Sequence, residues 1–378
     1  MLLATQQFAG VRFCYVDPMM TARKDILSRM RGLVSIVFIL ICNFVHAQNS
    51  QRTGCVPPAG TTLVEFHSGA NLLRGFIDLP QRIGKHPAIL IVHGARPTNV
   101  TDDTDYYTEL RKAFGRVGIA TLIWDKAGNG CSSGAYSSEL PIRERATETL
   151  AALKALKERS DIDSSRIGIW ALSQGGWVAP MTAVRSKDIA YLILVSGPGR
   201  DAISQGAYLG LNLLREAGLD ATESEKAYAA LRRASAIALG GGSPQELNAA
   251  LEPLRTYSAL HQAGMPDLTS ATYLRTFQTD PEWSLSADVF LRQLHVPTLA
   301  IFGERDTQVD WRESIGVYRE AFAQGSNRDL TIKTFKDADH DMLPPPTPKR
   351  VRDSVFVDGY IDAMIQWLEA HNFTDAKY

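Results

Sequence analysis

The chain is poor in the features that announce metal, nucleotide or nucleic-acid chemistry. Its 378 residues carry 40 Lys+Arg against 41 Asp+Glu, a formal net charge of −1 with the signs interspersed. It therefore lacks the basic footprint that tracks a phosphate backbone, and no nucleic-acid partner is expected. The four cysteines and eight histidines are scattered, with no H-E-x-x-H and no paired C-x-x-C, so no metal site is expected. No G-x-x-x-x-G-K-[ST] occurs and no G-x-G-x-x-G opens a helix, which removes the usual phosphate-cradling loops. Neither an internal repeat nor a low-complexity tract is present. A 45% hydrophobic chain remains, long enough for one large domain or two ordinary ones, and no cofactor is called for.

Apolar runs long enough to span a membrane are also missing. The run 33–45 falls short of the roughly 20 residues a span needs, but its setting is informative. Arg23, Lys24, Arg29 and Arg31 precede it, and Val45-His46-Ala47 places small residues at −3 and −1. That is the order of a secretory signal. Residues 1–47 are expected to be an N-terminal extension and signal peptide, with Met19, Met20 or Met30 as alternative starts. The protein is then exported, periplasmic or secreted, with no stable membrane span after signal removal; an uncleaved anchor is the alternative. Cys42 follows Ile41 inside the run, where a lipoprotein signal wants a small residue, which disfavours lipid attachment. Cleavage after Ala47 leaves Cys55 and Cys131, either as one disulfide or as two free thiols. The polar, Gly/Pro-containing stretch 48–60 reads as a linker.

Beyond it, strands are expected at 63–66, 72–79, 88–92, 119–124, 166–172 and 191–195. Helices are expected at 106–117 and 143–159, and from the residues after Ser173 to about Arg185. Most of the strands are continuously apolar, as in a parallel sheet buried on both faces. Residues 200–290 break the rhythm: they are Ala- and Leu-rich, interrupted by Gly240-Gly241-Gly242-Ser243-Pro244, and read as a helical insertion or cap. The alternation returns with a strand at 297–302, a helix at 311–322, a strand at 330–335, a Pro-rich loop at 344–348 and a final helix at 355–371. The expected fold is α/β, a mostly parallel central sheet flanked by helices, with a core of 61–199 and 291–378 and a cap at 200–290.

Ser173 sits at the sharp join between the strand 166–172 and the helix that follows. A strand–serine–helix turn lifts the hydroxyl above the sheet and aims the next backbone N–H at developing negative charge. Ala171 and Gly175 flank the serine, and only small residues fit so tight a turn. A serine hydroxyl needs a base, and the base needs an orienting acid; the order Ser…Asp/Glu…His is met by loops after two later strands. Asp306 is the expected acid, with Glu304 and Asp310 as alternatives, and His340 is the expected base. His67, His86 and His371 fall in segments read as surface, and His261 and His295 belong to the insertion or its edge. The backbone N–H groups of Gln174 and Ala95 are the expected oxyanion donors, with Gly94 letting the second loop approach. His93 reads as a structural residue bonded to loop backbone, and Asp125-Lys126 with Gly128 and Gly130 as a structural turn at the rim. Gly94, Arg96, Trp177, Leu209 and Leu213 are candidate substrate contacts, although Arg96 reads equally as half of a surface ion pair and the leucines as residues seating a cap.

Together IVHGA, WDKAGNGCSSG, RIGIWALSQGGWVAP, LAIFGERDTQVD and DADHDM resemble the α/β-hydrolase superfamily. More narrowly they resemble exported bacterial esterases akin to dienelactone hydrolases, bile-acid-CoA thioesterase C-terminal domains and prolyl-oligopeptidase catalytic domains. The resemblance covers roughly 60–375 apart from the insertion, which sits where such enzymes carry a lid. It departs in having Ala171 where relatives often have glycine, and HGARP where they have HGSGP-like residues. The resemblance implies a cofactor-free serine hydrolase acting on small-molecule carboxylic esters of small or medium acyl groups. Thioesterase and aminopeptidase-like activities are the alternatives, and a catalytically silent binding protein is the alternative of another class. Nothing in the residues indicates the oligomeric state.

Overall fold

The computed structural model describes residues 55–100, 105–137, 140–257, 260, 281–345 and 356–375. The expected signal segment 1–47, residues 48–54 of the expected linker and residues 261–280 of the expected insertion lie outside them. Among the described residues, eight strands make one sheet in the order β1-β2-β4-β3-β5-β6-β7-β8. The strands are β1 (Thr62–Ser68), β2 (Asn71–Asp78), β3 (His86–Val92), β4 (Ala120–Trp124), β5 (Ile162–Leu172), β6 (Tyr191–Val195), β7 (Thr298–Gly303) and β8 (Leu330–Phe335). β1 pairs β2, and β2 pairs β4, antiparallel; every pair from β4 through β3 to β8 is parallel.

The burial pattern follows the residue types. β3, β4, β6 and β7 are buried along their whole length, as parallel strands covered on both faces must be. Side chains alternate between the faces. Ala88, Leu90 and Val92 enter one apolar cluster with Ile142, Ala146, Leu153 and Leu156 of helix α2 (Ile142–Lys157). The same cluster takes Trp177 and Met181 of α3 (Gly175–Arg185). Ile89 and Ile91 enter the other, with Leu110 and Phe114 of α1 (Asp105–Arg116) and the C-terminal helix. β8, an edge strand, is only half-buried and carries Lys333 on its exposed side, a common guard against edge pairing.

Among the described residues between β6 and β7 lie the helices α4 (Ala202–Glu216), α5 (Ala221–Leu239), α6 (Pro244–Leu251) and the short α7 (Asp288–Leu291). Asp201, Asp220 and Ser243 cap the first three, each side chain accepting a backbone N–H, and Ser243 with Glu246 closes a capping box. Ala207, Leu214, Leu231, Leu247, Leu251 and Leu254 form a small core belonging to this segment alone. α8 (Trp311–Gln324) and α9 (Tyr360–Ala370) complete the fold. The last helix starts later than the expected 355: Gly359 has φ +79, and a left-handed residue is outside the helix.

Register decides where chemistry can gather. Val92 pairs Ala171, Leu172 pairs Val195, and Gly303 pairs Phe335. The carboxyl ends of β3, β5, β6, β7 and β8 therefore finish side by side, and the loops carrying Ala95, Ser173, Asp306 and His340 all leave from that edge, where open α/β sheets bind ligands.

Candidate active site

At the end of β5 the chain turns at Ser173, whose φ is +55. That left-handed conformation costs a non-glycine residue about 1–3 kcal/mol, and it is the kind of strain seen at functional sites. The Ser173 N–H donates to the Val195 carbonyl at 2.9 Å, and the Gly176 N–H donates to the Ser173 carbonyl at 2.7 Å. A methyl group on Gly175 would lie 2.8 Å from Ala171 Cβ and 3.1 Å from the Val92 carbonyl oxygen. The small pair Ala171 and Gly175 thus lets β3, β5 and α3 converge beneath the serine. Gln174, buried, is the N-cap of α3, so its N–H precedes the first helical turn and has no acceptor within the helix.

The loop after β3 lies against the serine: a side chain on Gly94 would sit 3.2 Å from Ser173 Cβ. Lys126 grips this loop. Its side chain is 3% exposed and its ammonium donates to the carbonyls of both Gly94 and Arg96. The Tyr136 hydroxyl donates to the Ala95 carbonyl at 3.0 Å. Burial pushes the Lys126 pKa well below its usual value; Arg145 adds to this and Glu148 opposes it. The turn that bears Lys126 is itself braced by buried Asp125, whose carboxylate accepts the Val100 N–H at 2.8 Å and the Cys131 N–H at 2.7 Å. A disulfide joins Cys131 to Cys55, with Cα atoms 5.9 Å apart. The glycine-rich turn is structural, as its residues suggested, but its grip on the Ala95 loop was not legible: a lysine after a strand looks the same whether it faces water or a carbonyl pair.

Asp306 and His340 meet. Asp306 Oδ2 lies 2.8 Å from His340 Nδ1, and the residues are 2% and 6% exposed. The other carboxylate oxygen, Oδ1, accepts the N–H groups of Gln308 and Val309 at 2.8 and 2.9 Å. The acid is therefore oriented by its own loop before it touches the imidazole. Burial lowers the His340 pKa, but the charge of Asp306, the hydrogen bond to it and the charge of Asp341 outweigh that, and the net shift is upward. The Ser196 hydroxyl donates to the His340 carbonyl at 2.7 Å. Since Ser196 follows Val195, whose carbonyl holds the Ser173 N–H, the histidine loop is anchored one strand from the serine. No described residue hydrogen-bonds the Ser173 hydroxyl, so the Ser173–His340 bond is not closed in this conformation; such bonds often tighten only when substrate is bound.

Glu304 and Asp310 are engaged elsewhere. Glu304 accepts the Thr334 hydroxyl at 2.8 Å, and Asp310 caps α8 through the N–H groups of Arg312 and Glu313. His93 is buried edge-to-face against Tyr107, 4.8 Å between ring centres, and its Nδ1 has no hydrogen-bond partner. It is a packing residue rather than the expected backbone-bonded one. Burial, reinforced by Lys126 and Arg145, pushes its pKa well down. His86, expected at the surface, is buried 3.8 Å from Asp375, because it opens β3 instead of preceding it. Trp177 is not a wall of the site: it is buried in the core and its indole N–H donates to the Arg200 carbonyl at 2.7 Å. Arg96 is 72% exposed and lies 4.0 Å from Asp341.

Leu209 and Leu213 are half-buried. What α4 presents to the Asp306 loop is polar: Gln205 donates to the Gln308 carbonyl at 3.2 Å, Tyr208 to that of Asp306 at 3.1 Å and Asn212 to that of Thr307 at 3.0 Å. Apolar spacing pointed to the leucines and passed over these three. No group of three or more His, Cys, Asp or Glu that could hold a metal ion occurs among the described residues.

Known proteins place the chain. Residues 89–354 match the model of the alpha/beta hydrolase family. Esterase EstD of Thermotoga maritima is 24% identical over 307 residues, 79% of this chain and 66% of that protein. The polyketide transferase grgF of a Penicillium species is 29% identical over 134 residues, 35% of this chain and 44% of that protein. The chain thus spans 66% and 44% of the lengths of these relatives. The structure of the Pyrococcus furiosus esterase Pf2001 superposes with a TM-score of 0.52 at 16% identity, covering 83% of this chain and 90% of that one, which speaks to the fold. With the family match running over most of the sheet and over all four loops that converge at its edge, the chain belongs to the alpha/beta hydrolase family.

Proposed function

We propose that the protein is a serine hydrolase cleaving carboxylic esters of small or medium acyl groups. The observation that carries this reading is the buried Asp306–His340 pair, 2.8 Å apart, at the sheet edge that also presents the strained Ser173. In the first half-reaction Ser173 Oγ attacks the ester carbonyl carbon and its proton passes to His340 Nε2. The carbonyl π electrons move to oxygen, and the N–H groups of Gln174 and Ala95 hold that oxyanion. Asp306 keeps the Nδ1 proton in place and stabilises the imidazolium without itself taking a proton. The tetrahedral centre collapses, the carbon–oxygen bond to the alcohol breaks, and the alcohol leaves with the proton from His340. Water then attacks the acyl-enzyme with His340 again as base, releasing the acid and restoring the Ser173 hydroxyl.

We also propose export and removal of residues 1–47; the Cys55–Cys131 disulfide supports an oxidising compartment. The helical segment 200–290 is proposed as a cap, its α4 tied to the Asp306 loop by Gln205, Tyr208 and Asn212.

The test is a panel of p-nitrophenyl esters from acetate to dodecanoate, hydrolysed by wild type and by Ser173→Ala. Cleavage by the wild type with loss of at least about a thousandfold in the variant is expected. No cleavage by the wild type, or equal cleavage by both, removes the reading.

A further inference from the structure

Between the two residues whose N–H groups are proposed to hold the oxyanion, Ala95 and Gln174, the surface opens into a recess also lined by Lys126, Tyr136, Arg145 and Glu148. Its volume of about 20 Å³ gives room for one or two oxygen-sized groups, not an acyl chain. Arg145 is 3% exposed, yet its guanidinium is under-used. Nη1 reaches the Gln174 side-chain oxygen only at 3.5 Å. Nε faces Glu148 Oε2 at 3.3 Å without hydrogen-bond geometry, and Nη2 has no partner. Glu148 accepts the Ala127 N–H at 3.1 Å through Oε1 and pairs its charge with Arg145 through Oε2, which has no hydrogen bond. A buried guanidinium with idle donors is a costly arrangement, and arginine is the side chain best suited to a carboxylate or carbonyl oxygen.

We infer that this recess is an acyl-side subsite in which Arg145 hydrogen-bonds an acceptor oxygen carried by the substrate a few bonds from the scissile carbonyl. The ligand chemistry is an acceptor oxygen, either the carboxylate of a dicarboxylic acid monoester or a neutral ketone. Lys126, also lining the recess, favours the anionic form; Glu148, and Glu144 at the rim, oppose it. The inference rests on the ester-hydrolase reading and narrows its substrate class.

The experiment compares three 4-methylumbelliferyl esters of similar length: pentanoate, 4-oxopentanoate and the succinate monoester. The expected wild-type result is kcat/KM about tenfold or more higher for one or both acceptor-bearing esters than for pentanoate, because a site built around a polar group rejects the analogue lacking its partner. The 4-oxopentanoate arm separates a neutral acceptor from a charged one. Arg145→Gln in combination with Glu148→Gln, which removes both buried charges together, is expected to collapse that ratio towards one. Arg145→Lys, which keeps a donor, is expected to retain part of it. Equal wild-type rates on all three esters mean that the recess holds only solvent and overturn the inference. A variant that slows all three in proportion, ratio intact, overturns it too, since Arg145 would then merely position Gln174. Failure of the wild type on every ester sinks the ester-hydrolase reading itself and the subsite with it, whereas good pentanoate cleavage without an acceptor preference sinks the subsite alone.

Discussion

Replacing Lys126 with methionine keeps the stem and deletes the ammonium that bridges the carbonyls of Gly94 and Arg96. Each lost hydrogen bond to a charged donor is worth about 1.5–3 kcal/mol, but removing the ammonium also relieves its desolvation by burial, so the lower end applies. A loss of about 3 kcal/mol, set against an unfolding entropy of about 2.1 cal/mol/K per residue, lowers Tm by roughly 4 °C in a chain of this size, and the protein is expected to stay folded at 25 °C. The catalytic effect is separate. With its flanking carbonyls released, the Ala95 N–H loses its fixed aim, and removing one oxyanion donor outright costs about 10²–10³ in kcat. The Tyr136 hydroxyl still holds the Ala95 carbonyl, so a drop in kcat of about 10–100-fold is expected with KM changed by less than about threefold. The assay is steady-state hydrolysis of p-nitrophenyl butyrate, paired with binding of a trifluoromethyl ketone that forms a tetrahedral adduct at the serine. Affinity for the adduct should fall in step with kcat/KM, because both depend on the same N–H. A variant with kcat within twofold of wild type, or one that loses substrate affinity alone, would show that Lys126 does not aim the Ala95 peptide.

Asp306→Asn should cost roughly 10⁴ in kcat by releasing the imidazole tautomer. The reaction needs neutral His340, whose pKa lies above 6.5 in the fold; wild-type kcat/KM should therefore fall as pH drops through that raised value. The stability that the raised pKa contributes is complete below about 6.5, the unfolded value, and is lost as pH rises through the folded one. The Tm gap between wild type and Asp306→Asn should accordingly narrow towards alkaline pH in calorimetry. Gly175→Ala places a methyl 2.8 Å from Ala171 Cβ and should destabilise by about 1–3 kcal/mol; adding Ala171→Gly should recover most of the loss, and additive effects in that double-mutant cycle would refute the clash. Reducing the Cys55–Cys131 bridge, whose cysteines are 76 residues apart, should cost up to about 4.5 kcal/mol on chain-entropy grounds, read as a lower urea midpoint with dithiothreitol. An unchanged midpoint would mean that the bridge constrains nothing the unfolded chain explores.

Much of the fold was legible because continuous apolar strands and amphipathic helices advertise themselves by period. The strand at 191–195 and the start of the helix at Trp311 coincide with what is observed. That Ser173, Asp306 and His340 would gather at one edge was legible for another reason: each stands just past a strand of one parallel sheet, so chain order alone placed their loops together. Burial set by partners far along the chain was not legible. Arg145 looks like a helix-surface arginine, since its neighbours Arg143 and Glu144 are charged, and only the packing of α2 under the 125–137 turn encloses it. His86 looked exposed because the residue that shields it, Asp375, lies near the other end of the chain. Trp177 misled in the opposite sense: its closeness to the serine in sequence suggested a wall of the site, but helical rotation turns it towards the core.

The proposed acid and base come from loops that follow β7 and β8, the last two strands among the described residues, whereas the proposed alcohol comes from the middle. A nascent chain emerging from the ribosome has its serine elbow hundreds of ångströms of extended backbone before His340. On the proposed mechanism, synthesis therefore yields an inert alcohol first and a working site only once β7 and β8, in the final quarter of the chain, have been threaded onto the sheet.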